Sequence, residues 1–198
     1  MTRIIGGTAG GRRIATPKGD ATRPTSDRVR EALFSALESW AGSLHGLRVL
    51  DLYAGSGAIG LEAWSRGAAA VTLVESDRRT AALISANVRD LGCPVADVVA
   101  GSVATVLAGR PRPSYGSDDP FDVVFSDPPY PLDDRALAHD LALLVDNDWL
   151  TEGALVVVER AKRSPEPTWP DGLTLLREKK YGETRLWYAE KTDASADR

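Results

Sequence analysis

The apolar run Phe121-Asp122-Val123-Val124-Phe125 leads into Ser126-Asp127-Pro128-Pro129-Tyr130, which sets a carboxylate, a carbonyl held outward by prolines and an aromatic face side by side. An exocyclic amino group on a nucleobase is a poor nucleophile, because its lone pair is delocalised into the ring. Asp127 and the Pro128 carbonyl can each accept one N–H of such a group, with Pro129 stiffening the turn; this orients the nitrogen and stabilises the positive charge developing on it. Tyr130 offers a surface on which an extruded base can stack. The last proton can go to Asp127 or to solvent, and the residue types do not choose.

A second constellation lies upstream. Gly55-Ser56-Gly57-Ala58-Ile59-Gly60 follows a strand-like run and opens a helix-like one, the context in which a G-x-G-x-x-G turn binds a nucleotide cofactor. Either a dinucleotide pyrophosphate or the amino-acid part of S-adenosylmethionine fits such a turn. Asp51 stands at the carboxyl end of the preceding strand, where a fixed negative charge repels a pyrophosphate and attracts an ammonium and a sulfonium. S-adenosylmethionine is therefore the expected cofactor. Glu75 ends the next apolar run and can accept both ribose hydroxyls; Ser102 and Val103, after a third run, can frame an adenine. Tyr53 and Ser76 flank these acids and complete the expected cofactor contacts.

These residues need a scaffold that brings successive strand ends together. From Arg48 onward, short β-branched runs (48–53, 71–74, 95–99, 121–125, 154–158) alternate with helix-like stretches ending near Arg66 and spanning about 78–91 and 135–145. Near-continuous apolar strands are those of a parallel sheet covered on both faces. Three prolines make 164–172 a loop, after which Leu173–Lys180 and Thr184–Glu190 form a hairpin that adds an antiparallel element. Upstream, Val29, Leu33, Ala36, Leu37 and Trp40 predict a helix from about Ser26 to Ser39, and paired glycines around Ile4 and Ile14 predict a small hairpin. The expected fold is α/β and Rossmann-like: a seven-stranded, mostly parallel sheet with one antiparallel strand, helices on both faces and an N-terminal hairpin appendage. Residues 1–22 form that basic hairpin, 23–190 the main domain and 191–198 a frayed tail.

The chain has 198 residues, 43% hydrophobic and 26% charged, the size and composition of one globular domain. No apolar run reaches membrane-spanning length and no secretory signal is present, so a cytoplasmic protein with no membrane partner is expected. One cysteine, Cys93, and two isolated histidines, His45 and His139, point to no metal site. Charge is split: residues 1–30 are net +5 and the remainder net −9. This is the pattern of a polyanion-binding arm on an acidic body, the bland reading being a solvated charged face. If Arg3, Arg12, Arg13 and Lys18 hold the phosphates of a polyanion, removing residues 1–19 should abolish that binding and leave the cofactor site nearly intact, with Arg160, Lys162 and Arg163 as the fallback grip.

Residues 49–57, Val-Leu-Asp-Leu-Tyr-Ala-Gly-Ser-Gly, together with Asp127-Pro128-Pro129-Tyr130, resemble the amino-methylating class I S-adenosylmethionine-dependent methyltransferases. Arg3-Ile4-Ile5-Gly6-Gly7, Gly11-Arg12-Arg13-Ile14 and the run from Arg23-Pro24-Thr25-Ser26-Asp27 to Phe34 narrow the resemblance to the RsmD family, guanine-N2 methyltransferases of bacterial 16S ribosomal RNA. The resemblance covers residues 3 to about 190. It implies methylation of one loop guanine of 16S rRNA within an assembled or partly assembled small subunit, Arg23 and Thr25 closing over the cofactor, and the N-terminal hairpin touching RNA. Ser126 stands where the family more often has an apolar residue.

Rival readings are weaker. A DNA adenine-N6 methyltransferase shares the Asp-Pro-Pro-Tyr turn but usually carries a sizeable sequence-reading insertion, for which there is little room. A nicotinamide-dependent oxidoreductase explains the glycines but neither Asp51 nor the turn at Asp127, and an RNA-binding module without catalysis leaves the strand-end acids unexplained. A monomer is expected, since no apolar stripe demands a partner.

Overall fold

The computed structural model describes residues 1–18, 25–111, 119–129 and 132–192. The chain runs β1 (Thr2–Arg3), β2 (Arg13–Ile14), α1 (Asp27–Ala41), β3 (Arg48–Leu52), α2 (Ala58–Ser65), β4 (Ala70–Glu75), α3 (Arg78–Leu91), β5 (Ala96–Ala100), α4 (Val103–Leu107), β6 (Phe121–Ser126), α5 (Asp134–Asp146), β7 (Leu150–Ala161), β8 (Leu173–Tyr181) and β9 (Thr184–Lys191). Seven strands form the main sheet in the order β5-β4-β3-β6-β7-β9-β8. β5, β4, β3, β6 and β7 pair in parallel, while β9 runs against both of its neighbours. Order reverses between β3 and β6, so the crevice outside their carboxyl ends is a topological switch point.

The apolar runs alternate between two cores. Val49, Val71, Leu73, Val123, Phe125, Leu155 and Val157 face a layer that includes Leu33 and Phe34 of α1, Leu61 of α2 and Ile84 of α3. Their sequence neighbours Leu50, Leu52, Val74, Val124, Val156 and Val158 face Leu107 of α4 and Leu137, Leu141 and Leu144 of α5. Period-2 side chains covered on both faces produce the continuous hydrophobic sequence. Each fully buried Leu, Val or Phe contributes on the order of 1.5–3 kcal/mol through removal from water.

Helix starts follow local chemistry. Ser26 caps α1 by accepting the Val29 N–H, Asp77 caps α3 at Thr80, and Asp133 caps α5 at Ala136. α4 has five residues and no counterpart in the sequence reading. β7 begins at Leu150 and is twelve residues long, extending the expected 154–158 run at both ends. Lys191 still belongs to β9 and the Thr192 N–H bonds to the Gly172 carbonyl, so the described start of the expected tail is paired; residues 193–198 lie outside the described residues.

The N-terminal hairpin is built into the body. Ile4, Ala9 and Ile14 are buried in the first core. Glu62 of α2, 0% exposed, accepts the Ile5 and Gly6 N–H groups at 2.7 and 2.8 Å and the Arg66 Nε at 2.8 Å. Ser65 accepts the Ala9 N–H and donates to the Gly6 carbonyl. Gly7 sits at φ 74°, and a Cβ there would lie 1.8 Å from the Ser65 carbonyl oxygen, so no side chain fits. Removing residues 1–19 would strip an apolar layer, take from Glu62 its two backbone N–H donors and leave Asn87 with the Ser56 carbonyl alone. These contacts argue against the expectation that the deletion leaves the cofactor site intact, since it is expected to open the core.

No described helix is long and apolar enough to cross a membrane.

Candidate active site

The glycine-rich turn leaves β3 and enters α2. Gly57, at φ 80°, caps α2 in the left-handed region, and a Cβ there would lie 3.0 Å from Ile84. Asp51, 2% exposed, accepts the Gly60 N–H at 2.9 Å and so satisfies a donor of the first turn of α2. Glu75 Oε2 accepts the Gly55 N–H at 3.0 Å and Oε1 accepts the Asp77 N–H at 2.8 Å; Ser76 Oγ lies 3.5 Å from Oε1. The two strand-end acids thus brace the loop from both sides. Tyr53 occupies φ 59°, uncommon for a residue with a side chain, and its hydroxyl donates to Asp140 of α5, which anchors the turn to the opposite layer. The Ser56 carbonyl accepts from Asn87 Nδ2 at 3.1 Å.

β6 ends beside this turn. Its parallel register pairs Leu52 with Ser126 and Ser126 with Val158, so one step further places Asp127 between the β3 and β7 ends, next to Glu159. Pro128 is buried and Pro129 is exposed, its carbonyl accepting the Leu132 N–H. Tyr130 and Arg23 lie outside the described residues. Ser126 is buried and its hydroxyl has no partner among the described residues, consistent with an apolar residue being commoner there.

The electrostatics are dominated by buried and half-buried acids close to one another. Burial pushes the Asp51 carboxyl up to about 8, with the Glu75 charge adding and the Gly60 N–H opposing. Asp51 is therefore not the fixed charge expected from its position, because burial favours its neutral form. Asp127 is held well above the usual carboxylate range by burial, then by the Glu159 and Asp51 charges; a Thr25 hydrogen bond and Arg160 act the other way. Arg160 is already engaged, 2.9 Å from Asp134 and bonded to the Leu132 carbonyl. A cationic ligand with hydroxyls to donate fits these acceptors; a cofactor pyrophosphate does not.

The family described as Conserved hypothetical protein 95 matches residues 2–190. The Escherichia coli (strain K12) protein named Ribosomal RNA small subunit methyltransferase D is 40% identical over 190 residues, covering 95% of this chain and 90% of that one. The chain belongs to the RsmD family. The Haemophilus influenzae protein of the same name is 38% identical over 182 residues, covering 91% and 89% of the two chains. A solved structure titled as a putative methyltransferase yhhF from Escherichia coli superposes with a TM-score of 0.83 at 37% identity, covering 96% of this chain and 98% of the other. The fold of this RsmD-family member is that of the S-adenosylmethionine-dependent methyltransferases.

The remaining expected site residues are distributed unevenly. Thr25 comes to the Asp127 side, its hydroxyl donating to Glu159 Oε2 at 2.9 Å. The Ser102 hydroxyl caps α4 through Thr105, and the Val103 side chain is buried in the α4–α5 core rather than presented to the cleft. Arg12 fastens the hairpin to α3 by donating to the Leu91 and Asp90 carbonyls, and Arg3 pairs with Asp27 at 3.3 Å. Arg13 and Lys18 are exposed. Arg30, counted in the basic segment, is 1% exposed and bonds Thr2, the Arg3 carbonyl and Asp27; part of that segment's charge is structural.

Sequence reasoning missed Glu159. It ends the apolar run Leu155–Val158, as Glu75 ends Val71–Val74, and is buried at 8% exposure. The rule that found Asp51, Glu75 and Asp127 finds it too once applied to β7.

Proposed function

We propose that this protein methylates the exocyclic N2 of one guanine in 16S ribosomal RNA, using S-adenosylmethionine, and that it acts in the cytoplasm as a monomer on the assembled or partly assembled small subunit. The observation that carries the reading is the convergence of Asp51, Asp127 and Glu159 near the carboxyl ends of β3, β6 and β7, an acidic cleft at which the Asp-Pro-Pro turn begins. Relatives named as small-subunit rRNA methyltransferases support the substrate class. The described surface exposes only Met1 and Leu176 among large hydrophobics, which supports a monomer.

When bound, the cofactor supplies an activated methyl group and positive charge. Gly55, Ser56 and Gly57 shape the turn that receives it. Glu75 and Ser76 are assigned the ribose, Asp51 the cationic end, and Tyr53 holds the turn against α5. Ser102 and the Val103 backbone are assigned the adenine edge, with Arg23 and Thr25 closing over the site. Asp127 accepts one N–H of the guanine amine and the Pro128 carbonyl the other, so the nitrogen lone pair is turned toward the methyl and the charge growing on nitrogen is stabilised in a dry site. Pro129 keeps the turn rigid and Tyr130 is assigned the stacked base. Arg3, Arg13 and Lys18 are assigned RNA phosphates, with Arg12 securing the hairpin that presents them.

The test is methyl transfer to small subunits isolated from cells lacking this protein, followed by nucleoside mass spectrometry. Wild-type protein is expected to add a single N2-methylguanosine, Asp127→Ala to lose most of that activity with its fold and cofactor affinity retained, and Asp127→Asn to keep more, since its amide oxygen still accepts. Methyl found on adenine N6, or wild-type turnover by Asp127→Ala, overturns the assignment.

A further inference from the structure

The Asp-Pro-Pro turn has to be fixed at both ends, because a nitrogen reacts with a methyl donor only within a narrow range of distance and angle. At the near end, β6 lies between β3 and β7. At the far end the chain runs directly into α5. The Pro129 carbonyl accepts the Leu132 N–H at 2.8 Å, and Asp133 caps the helix by accepting the Ala136 N–H at 2.7 Å. Neither of these local bonds ties the segment to the sheet.

Arg160 does. The β6–β7 register sets Ser126 opposite Val158, so Arg160 stands two residues further along β7 and shares the face of Val156 and Val158, the face that packs against α5. Its Nη1 donates to the Leu132 carbonyl at 3.3 Å and its Nη2 to Asp134 Oδ1 at 2.9 Å. The side chain is 11% exposed. Leu132 is thereby held through both of its backbone polar groups, one by the turn and one by the sheet. A guanidinium presents its donors in a rigid planar fork, so one side chain fixes two acceptors in distance and orientation.

The neighbouring charges fit this role. Arg185 of β9 is the ladder partner of Arg160, and like charges directly opposite repel. Arg185 pairs with Glu178 at 3.3 Å and lies over the Trp187 ring at 5.1 Å; Lys180, opposite Arg185 on β8, also pairs with Glu178, at 3.5 Å. Asp134 pairs with Arg160. The cofactor turn reaches α5 separately, through the Tyr53 hydroxyl and Asp140 further along the helix.

We propose that Arg160 is a positioning residue for methyl transfer: by binding the Leu132 carbonyl and Asp134 to the end of β7, it sets where the Asp127-Pro128-Pro129 turn holds the target amine relative to the methyl donor. The proposal rests on the amine-methylating reading above. It also separates Arg160 from any polyanion grip, since a guanidinium engaged beneath the loop and so little exposed offers little to a phosphate.

Three variants of the full-length protein test this on small subunits isolated from cells lacking it. Single-turnover methyl transfer at saturating subunits reads positioning, calorimetry with S-adenosylhomocysteine reads the cofactor site, and the salt dependence of subunit affinity counts phosphate contacts. Arg160→Met removes the fork and should lower the single-turnover rate about tenfold or more, with S-adenosylhomocysteine affinity and the salt slope unchanged. Arg160→Lys keeps the charge without the fork and should recover only part of the rate. Asp134→Ala removes one acceptor without touching β7; it should lower the rate about threefold and add nothing when combined with Arg160→Met, because the two residues act as one contact. An arginine that merely packs would lower the melting temperature and leave the saturated rate of the folded protein unmoved. Folded Arg160→Met with the wild-type rate overturns the proposal. So does a loss that vanishes at high subunit concentration and flattens the salt slope by about 1, the behaviour of a phosphate contact. If Arg160→Met does not fold, wild-type rates in both Arg160→Lys and Asp134→Ala overturn it instead. A wild-type protein that methylates no nucleobase amine overturns the parent reading and this one with it, an outcome separable from a methylating wild type whose variants are unmoved.

Discussion

The contact proposed between Asp51 and the cationic end of the cofactor ties affinity to pH. The Asp51 carboxyl is raised to about 8 chiefly by desolvation, and a cationic ligand favours the ionised form, so binding below pH 8 must expel a proton. Well below the pKa that expulsion costs about 1.4 kcal/mol per pH unit, which makes binding at pH 6 about fiftyfold weaker than at pH 8 from this group alone, with about a further twofold gain before it levels above pH 9. Asp127, also raised, steepens the slope. Asp51→Asn tests the attribution, since the amide oxygen can still accept the Gly60 N–H while the titration is removed. Isothermal titration with S-adenosylmethionine at pH 6, 7, 8 and 9 should show affinity rising across the lower three values in the wild type. In the variant the rise should be shallower by about one order of magnitude per pH unit, with weaker binding at pH 8. The empty protein should behave oppositely. An acid whose pKa is higher folded than unfolded adds stability that is fully present below about pH 4 and lost as pH rises through about 8. Melting of the empty protein should therefore fall between pH 6 and 8 while the shift produced by the cofactor grows. A wild-type affinity that is flat from pH 6 to 8, or an Asp51→Asn slope equal to wild type, refutes the reasoning.

Two further outcomes follow from the hairpin contacts. Glu62→Ala removes the acceptor of two backbone N–H groups and of Arg66 and should cost about 3 kcal/mol in urea unfolding; a loss under about 0.5 kcal/mol would show that the hairpin is only laid on the surface. Asn87→Ala removes the clamp on the Ser56 carbonyl and on both polar groups of the Ala15 backbone, and should weaken S-adenosylhomocysteine binding about fivefold, the equivalent of one hydrogen bond. Unchanged affinity in a folded Asn87→Ala protein would sever the hairpin from the cofactor turn.

What could be read in the sequence was whatever local spacing determines. Strand runs with period 2 and two covered faces, the glycine turn between a strand and a helix, and the carboxylates closing Leu50–Asp51, Val74–Glu75 and Ser126–Asp127 all follow from residues within one element. Contacts between Ile5 and Glu62, or between Ala15 and Asn87, join positions 57 and 72 residues apart, and no local pattern encodes them. α4 was not legible because five residues make little more than one turn, too few for a 3.6-residue period to repeat. Charge counting misread Arg30 for a related reason: an arginine beside aspartate in a basic stretch looks solvated, while its burial depends on Thr2 and Arg3 folding back across α1. Glu159 was legible by the strand-end rule and became informative only through the register that sets β7 beside β6.

The same long-range bonds change how the basic segment works with the cofactor. Asn87 lies on α3, accepts the Ala15 N–H, donates to the Ala15 carbonyl and donates again to the Ser56 carbonyl in the glycine turn. Arg12, three residues before Ala15, caps the carboxyl end of that same helix, where a cation also complements the helix dipole. Force applied to the hairpin by a bound polyanion therefore meets α3 at two points and the cofactor turn at one. An arm on a flexible tether could not transmit position in this way, because its entropy would absorb the displacement. A hairpin whose Ile4, Ala9 and Ile14 lie in the core moves only with α2 and α3. If the hairpin grips the substrate and the glycine turn holds the cofactor as proposed, the two belong to one packed unit, and a substitution in the hairpin core is expected to reach the glycine turn through Asn87.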